Sequence, residues 1–182
     1  MKMKSYKAEE SAELLFEFPD EVEWDELDKQ GVRLPVHMKF VDLVIERDAD
    51  VLLVEIKDPS HSKCPNEERN SYFKRLSDNS VLTQELTPKA RDSYSFLHLM
   101  ERDGKPFKYI VLIGLDAFDP IQQKAVLTGF KDRLTANIRC EAYEAWKRKY
   151  IADCAVLSVE TWNQNFPKWP VTRLATAAAG GA

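Results

Sequence analysis

Asp42, Glu55 and Lys57 fall within FVDLVIERDADVLLVEIKD, residues 40–58, where their spacing brings two carboxylates and an ammonium together. Val41, Leu43 and Ile45 alternate with Phe40, Asp42, Val44 and Glu46, and Leu52, Val54 and Ile56 alternate with Val51, Leu53, Glu55 and Lys57. Successive side chains of a strand point to opposite faces. The stretch therefore reads as two strands, the first set of each forming an aliphatic core face. Residues 47–50 (RDAD) suit a four-residue hairpin loop. That loop pairs Glu46 with Val51, Val44 with Leu53, and Asp42 with Glu55. The two acids then face each other across the ladder, with Lys57 one diagonal step away.

Opposed residues hold their Cβ atoms about 4.5–5.5 Å apart, and like charges there destabilise the pair. Two unit charges 4 Å apart at an effective dielectric near 20 repel by about 4 kcal/mol. A hard dication held by both carboxylates converts that repulsion into binding. Mg²⁺, or Mn²⁺ in its place, suits one or two carboxylates plus waters and a substrate phosphate, and Lys57 can orient or activate a water beside it. The same three residues are also compatible with a solvated ion cluster on an exposed sheet face, where such pairs contribute little.

The remaining chain bounds the setting. Its 182 residues, 44% hydrophobic and 31% charged, are most simply one globular domain over residues 1–175, with TAAAGGA at 176–182 as a low-complexity tail. No apolar run approaches the roughly 20 residues of a membrane span. The opening MKMKSYKAEES has no apolar h-region, and the three cysteines, Cys64, Cys140 and Cys154, are odd in number and far apart. Both features fit a reducing, cytoplasmic setting. A net charge of −4 argues against coating nucleic acid through bulk charge, but ten acids lie in residues 8–28, which hold no Lys or Arg. A local basic surface is all that a nuclease requires.

The elements that must position the triad follow from pattern. Residues 8–18 read as either helix or strand; their acids are a solvated face, or Glu17 or Asp28 approaches the metal. Residues 58–80 read as a long polar connection with one short helical turn near 67–76. Lys63, Arg69, Lys74 and Arg75 there, beside Tyr72 and Phe73, suit phosphate and base contacts or a plain surface loop. Leu82, Leu86, Ala90, Leu97 and Met100 recur at helical spacing over 82–101, with Thr87 and Pro88 as cap and first-turn proline. Gln84, Lys89 and Arg91 fall off that stripe. Residues 106–114 form a continuous apolar run, the mark of a strand buried on both faces. A helix over 119–134 follows, then a basic helix over 141–150 whose Tyr143, Trp146 and Tyr150 read as core packing. A strand at 155–160 and a short helix at 161–166 complete the pattern, giving an α/β chain with a mixed sheet flanked by helices.

Asp42, twelve intervening residues, then Glu55-Ile56-Lys57 on the next strand, followed by a helix and an apolar strand, resembles the PD-(D/E)XK nuclease superfamily. The resemblance spans residues 40–114, with Val41 where the literal motif has proline. It implies a restriction-endonuclease-like αβββαβ core whose first helix is the acidic N-terminal segment. It also implies Asp42 and Glu55 as metal ligands, completed by the backbone carbonyl of Ile56. Lys57 becomes the water-positioning cation, and Glu17, Gln84 or Lys89 are accessory candidates. The activity implied is Mg²⁺- or Mn²⁺-dependent hydrolysis of phosphodiesters, in DNA ahead of RNA, by a homodimer or alongside a partner protein. A nuclease fold that binds nucleic acid or protein within a larger complex without cleaving is the alternative.

Overall fold

In the computed structural model, which describes residues 2–8, 13–27, 35–141 and 146–174, the hairpin forms in the register that its loop dictates. Strand β4 (Leu43–Glu46) pairs antiparallel with β5 (Val51–Lys57), Val44 opposite Leu53 and Glu46 opposite Val51. The loop is locked by its own charges. The Arg47 guanidinium grips both oxygens of Asp50 at 2.5 and 2.6 Å, and the Arg47 amide donates to the Asp50 carbonyl. Arg47 holds the Asp50 carboxyl below its usual pKa; burial opposes this and Lys108 adds to it.

The chain is α/β. A mixed five-stranded sheet runs β3 (Glu23–Asp25), β4, β5, β6 (Phe107–Ile113), β7 (Asp153–Leu157), antiparallel as far as β5 and parallel from β5 onward. Parallel neighbours require crossovers. From β5 to β6 the chain passes through α1 (Asn66–Ser77), a π-helical turn (Leu82–Leu86) and α2 (Thr87–Leu99); α3 (Pro120–Glu141) joins β6 to β7. On this helical side Val44, Leu53 and Val111 pack with Leu86, Ala90 and Phe130. On the other face lies a second sheet in the order β1 (Met3–Lys7), β2 (Leu14–Pro19), β8 (Val171–Arg173), together with α4 (Val159–Asn165). There Phe16, Phe18 and Trp162 cover Leu43, Ile45, Leu52, Val54 and Ile56. Every residue of β5 is buried as a result.

Several expectations are corrected. The first helix anticipated before the hairpin is replaced, among the described residues, by strands: Phe16 and Phe18 alternate with Leu15 and Glu17 at period two. Residues 67–76 belong to a three-turn helix rather than a single turn within a loop. Acids at Glu67 and Glu68 and cations at Lys74 and Arg75 complement the dipole of α1, while only Leu76 is buried, so no apolar stripe announced it. Thr87 and Pro88 do not start a helix either, because the chain is already helical through the π turn. Pro88 has no N–H for the carbonyl of Gln84, and Lys39 Nζ donates to that carbonyl instead at 2.7 Å. Helix α3 runs seven residues past its expected end, and residues 146–150 are not helical. Strand β8 was not anticipated. Val41 packs on the helical side rather than with Leu43 and Ile45. Glu9, Glu10, Asp28, Tyr143 and the 176–182 tail lie outside the described residues.

Candidate active site

Alternation along β5 sends Leu52, Val54 and Ile56 toward the small sheet and Leu53, Glu55 and Lys57 into the helical layer. Glu55 is 0% exposed and Lys57 7%, so a solvated cluster on an open sheet face does not describe them. Asp42, just before β4, is brought onto the same side. Its Oδ2 accepts the Ile56 amide at 2.6 Å, and its Oδ1 lies 3.7 Å from Lys89 Nζ. That ammonium also donates to Glu55 Oε1 at 2.7 Å. One cationic point therefore sits between both carboxylates, as the repulsion argument requires.

The charges continue in alternation. Lys57 Nζ is 3.2 Å from Glu55 Oε1 and 3.5 Å from Glu85 Oε2, and Arg75 pairs with the other Glu85 oxygen. Burial, reinforced by the negative charge of Asp42, pushes the Glu55 pKa up to about 7, although Lys89 and Lys57 pull it down. Burial acts on Glu85 in the same upward sense, but Arg75 and Lys57 outweigh it and hold its pKa below the ordinary value. Glu55 Oε2 is buried without a hydrogen-bond partner among the described residues, and so is the hydroxyl of Tyr109 on β6. That phenol is held well above its usual pKa, first by burial and then by Glu55 and Asp42.

The segment before Asp42 is sewn to α2. The Lys39 amide donates to Asp92 Oδ2 at 2.9 Å and the Val41 amide to buried Ser93 Oγ at 3.0 Å. The segment after Lys57 is held just as firmly. The Gly114 amide donates to the Lys57 carbonyl at 2.7 Å, and Arg173 of β8 grips both oxygens of Asp58 at 2.8 and 2.9 Å. A Cβ on Gly114 would overlap Asp58 Oδ1. Glu13 accepts the Ser62 amide and hydroxyl and lies 3.5 Å from Arg173.

Asp42, Glu55, Lys57 and Lys89 are thus brought together, with Ile56 entering through its backbone. Glu17 is not: it lies on β2, in the sheet covering the opposite face. Gln84 is exposed and offers its carbonyl to Lys39, so it too falls outside the cluster. Glu85 takes the place expected of Gln84, and its i,i+4 spacing to Lys89 was the available signal. Of the cations proposed for nucleic acid, Arg75 borders the cluster through Glu85. Arg69 is occupied with the carbonyls of Pro59 and Cys64, while Lys63 and Lys74 are exposed. A cleft of about 320 Å³ opens beside Lys57, lined by His61, Tyr72 and Arg75 among others.

Two converging carboxylates and an unpartnered buried oxygen fit a Mg²⁺- or Mn²⁺-type cation completed by water and phosphate. They do not make an all-protein cage, since no group of three or more His, Cys, Asp or Glu side chains is arranged to hold a metal among the described residues. Comparison with protein-family models, with curated proteins and with solved structures finds no match to this chain. Among the described residues no helix is long and apolar enough to cross a membrane.

Proposed function

We propose that the chain is a metal-dependent phosphodiesterase acting on nucleic acid, with DNA ahead of RNA. The carrying observation is the shared cation between Asp42 and Glu55, with Lys57 on the same carboxylate. In support, the antiparallel run β3–β4–β5, followed by helices and a parallel β6, fits a restriction-endonuclease-like core. The strands that stand where a first helix was expected depart from it. Asp42 and Glu55 would hold the dication, which would supply Lewis-acid polarisation of a phosphoryl oxygen. Lys89, 20% exposed at its side chain, is the group that must yield its place. Lys57, held between Glu55 and Glu85, orients a water and stabilises the negative charge that develops on the phosphoryl oxygens. The cleft beside Lys57 is the route for the phosphate backbone, with Arg75 on its wall.

The test combines calorimetric Mn²⁺ titration with cleavage of plasmid, linear duplex, single strand and RNA. Asp42→Asn and Glu55→Gln should abolish both metal binding and cleavage. Lys57→Ala should keep metal binding and lower turnover by about 10²–10³-fold, as loss of one charge-stabilising donor does. Native-rate cleavage by Lys57→Ala would sink the assignment.

One observation favours a second reading. Lys89 already neutralises both acids, as a nuclease-fold module that binds nucleic acid or a protein partner without cleaving would need. Absence of Mn²⁺ binding in both the native chain and Lys89→Ala selects that reading.

A further inference from the structure

A cleft of about 620 Å³ lies between the C-terminal half of α2 and residues 146–150, lined by Tyr94, Trp146 and Tyr150 and by Arg91, Lys147 and Arg148. Two more hollows share its walls. One of about 500 Å³ adjoins through Tyr94, Arg148 and Tyr150, and one of about 330 Å³ through Arg91 and Trp146. The aromatic stripe read from the sequence as core packing is therefore split. Tyr150 is 4% exposed and packs on Tyr94, which in turn meets Phe107, whereas Trp146 is 41% exposed between two hollows. Its ring meets Tyr150 in a T-shaped contact at 5.6 Å between centroids, and its exposed surface is available to a ligand.

The surrounding charge selects the ligand. Arg91, Lys105, Lys147, Arg148 and Lys149 line the three hollows against the carboxylates of Asp103 and Glu141. Arg91 is paired with Glu141 at 2.9 Å and with Asp92 at 3.0 Å, and Arg148 with Asp103, so five cations meet three carboxylates and a local positive excess remains in a chain whose net charge is −4. Aromatic faces interleaved with cations suit stacked bases and their phosphates. A row of joined hollows suits a strand better than one mononucleotide.

We propose that this row binds a single-stranded nucleic-acid segment, one base stacking on Trp146 and the adjacent phosphates meeting Lys147 and Lys149. The inference rests on the phosphodiesterase reading for its ligand class and extends it with a second contact. Lys89 and His98, nine residues apart on α2, are separated by roughly 14 Å of helix. A strand seated here is anchored away from the carboxylates rather than over them.

The test uses the full chain in EDTA, with fluorescence anisotropy of a labelled oligothymidylate of about eight residues, within the usual span of single-strand sites. Trp146→Ala should weaken binding about tenfold, and Trp146→Phe should recover most of it. Lys147→Glu should flatten the log–log salt dependence by about 0.7, one phosphate contact on a single strand. Unchanged thermal midpoints verify folding. Failure of the native chain to bind the oligonucleotide overturns the proposal. So does equal binding by Trp146→Ala, or binding of an acidic aromatic peptide in its place. Because no metal is present, the two readings part cleanly. Trp146-dependent binding by a protein that never cleaves leaves this inference standing without the nuclease, and cleavage with Trp146-independent binding does the reverse.

Discussion

Glu55 is the residue on which the site's energetics turn. Its carboxyl is completely buried and its pKa stands near 7 rather than 4.5. A carboxylate whose pKa is raised on folding binds its proton more tightly in the native state, so stability falls as pH rises from about 4.5 through 7 and is level above. The loss is on the order of 3 kcal/mol. In metal-free buffer, urea unfolding of the native chain at pH 5 and pH 8 should show this decline, and Glu55→Gln should abolish it. Added Mn²⁺ should restore stability at pH 8 in the native chain and leave Glu55→Gln unmoved. Equal stability at both pH values in the native chain would contradict the burial argument.

At the scale of elements, α2 positions Lys89 and is itself placed by irregularities. The N–H that Pro88 lacks frees the Gln84 carbonyl for Lys39, and Ser93 takes the Val41 amide, so the residues entering Asp42 are fixed to the helix. Ser93→Ala leaves that amide buried and unpaired and should cost about 1–3 kcal/mol, read from chemical denaturation. At its other end α2 closes with Glu101 at φ 58°, the Arg102 amide reaching the Leu97 carbonyl and the Glu101 amide reaching that of His98. This is the left-handed terminus that favours glycine. Glu101→Gly should therefore stabilise by about 0.5–1 kcal/mol, visible as a raised unfolding midpoint. These elements also show how far the sequence reached. The hairpin register was legible because alternation and loop length together allow one pairing, and β6 because both its faces are apolar. Helix α1 was not, since it buries a single residue, and β2 was legible only as one of two readings, since Glu17 between Phe16 and Phe18 suits an exposed helix face as well as a strand. Glu85 was not legible because the π-helical turn over Leu82–Leu86 shifts which side chains face the cluster relative to a regular α-helix.

The whole molecule is held at one corner by Arg173. From β8 it reaches Asp58 after β5, Asp116 after β6, and Glu13 ahead of β2. Asp58 is 6% exposed, and removing the guanidinium takes two charge-assisted hydrogen bonds from its carboxylate. Arg173→Met should destabilise by about 1.5–3 kcal/mol in chemical denaturation. Gly114→Ala, which drives a methyl into the same contact, should lower stability as well, and an unaffected midpoint would argue that the corner relaxes freely.

That corner has a bearing on biosynthesis. The backbone after Lys57 is steadied by a guanidinium 115 positions later in the polypeptide. While the ribosome still shields that arginine, the hairpin can pair but the Asp58 carboxylate lacks its guanidinium. A stalled nascent chain ending before β8 should thus emerge with the backbone after Lys57 less firmly held, tightening only once that strand docks.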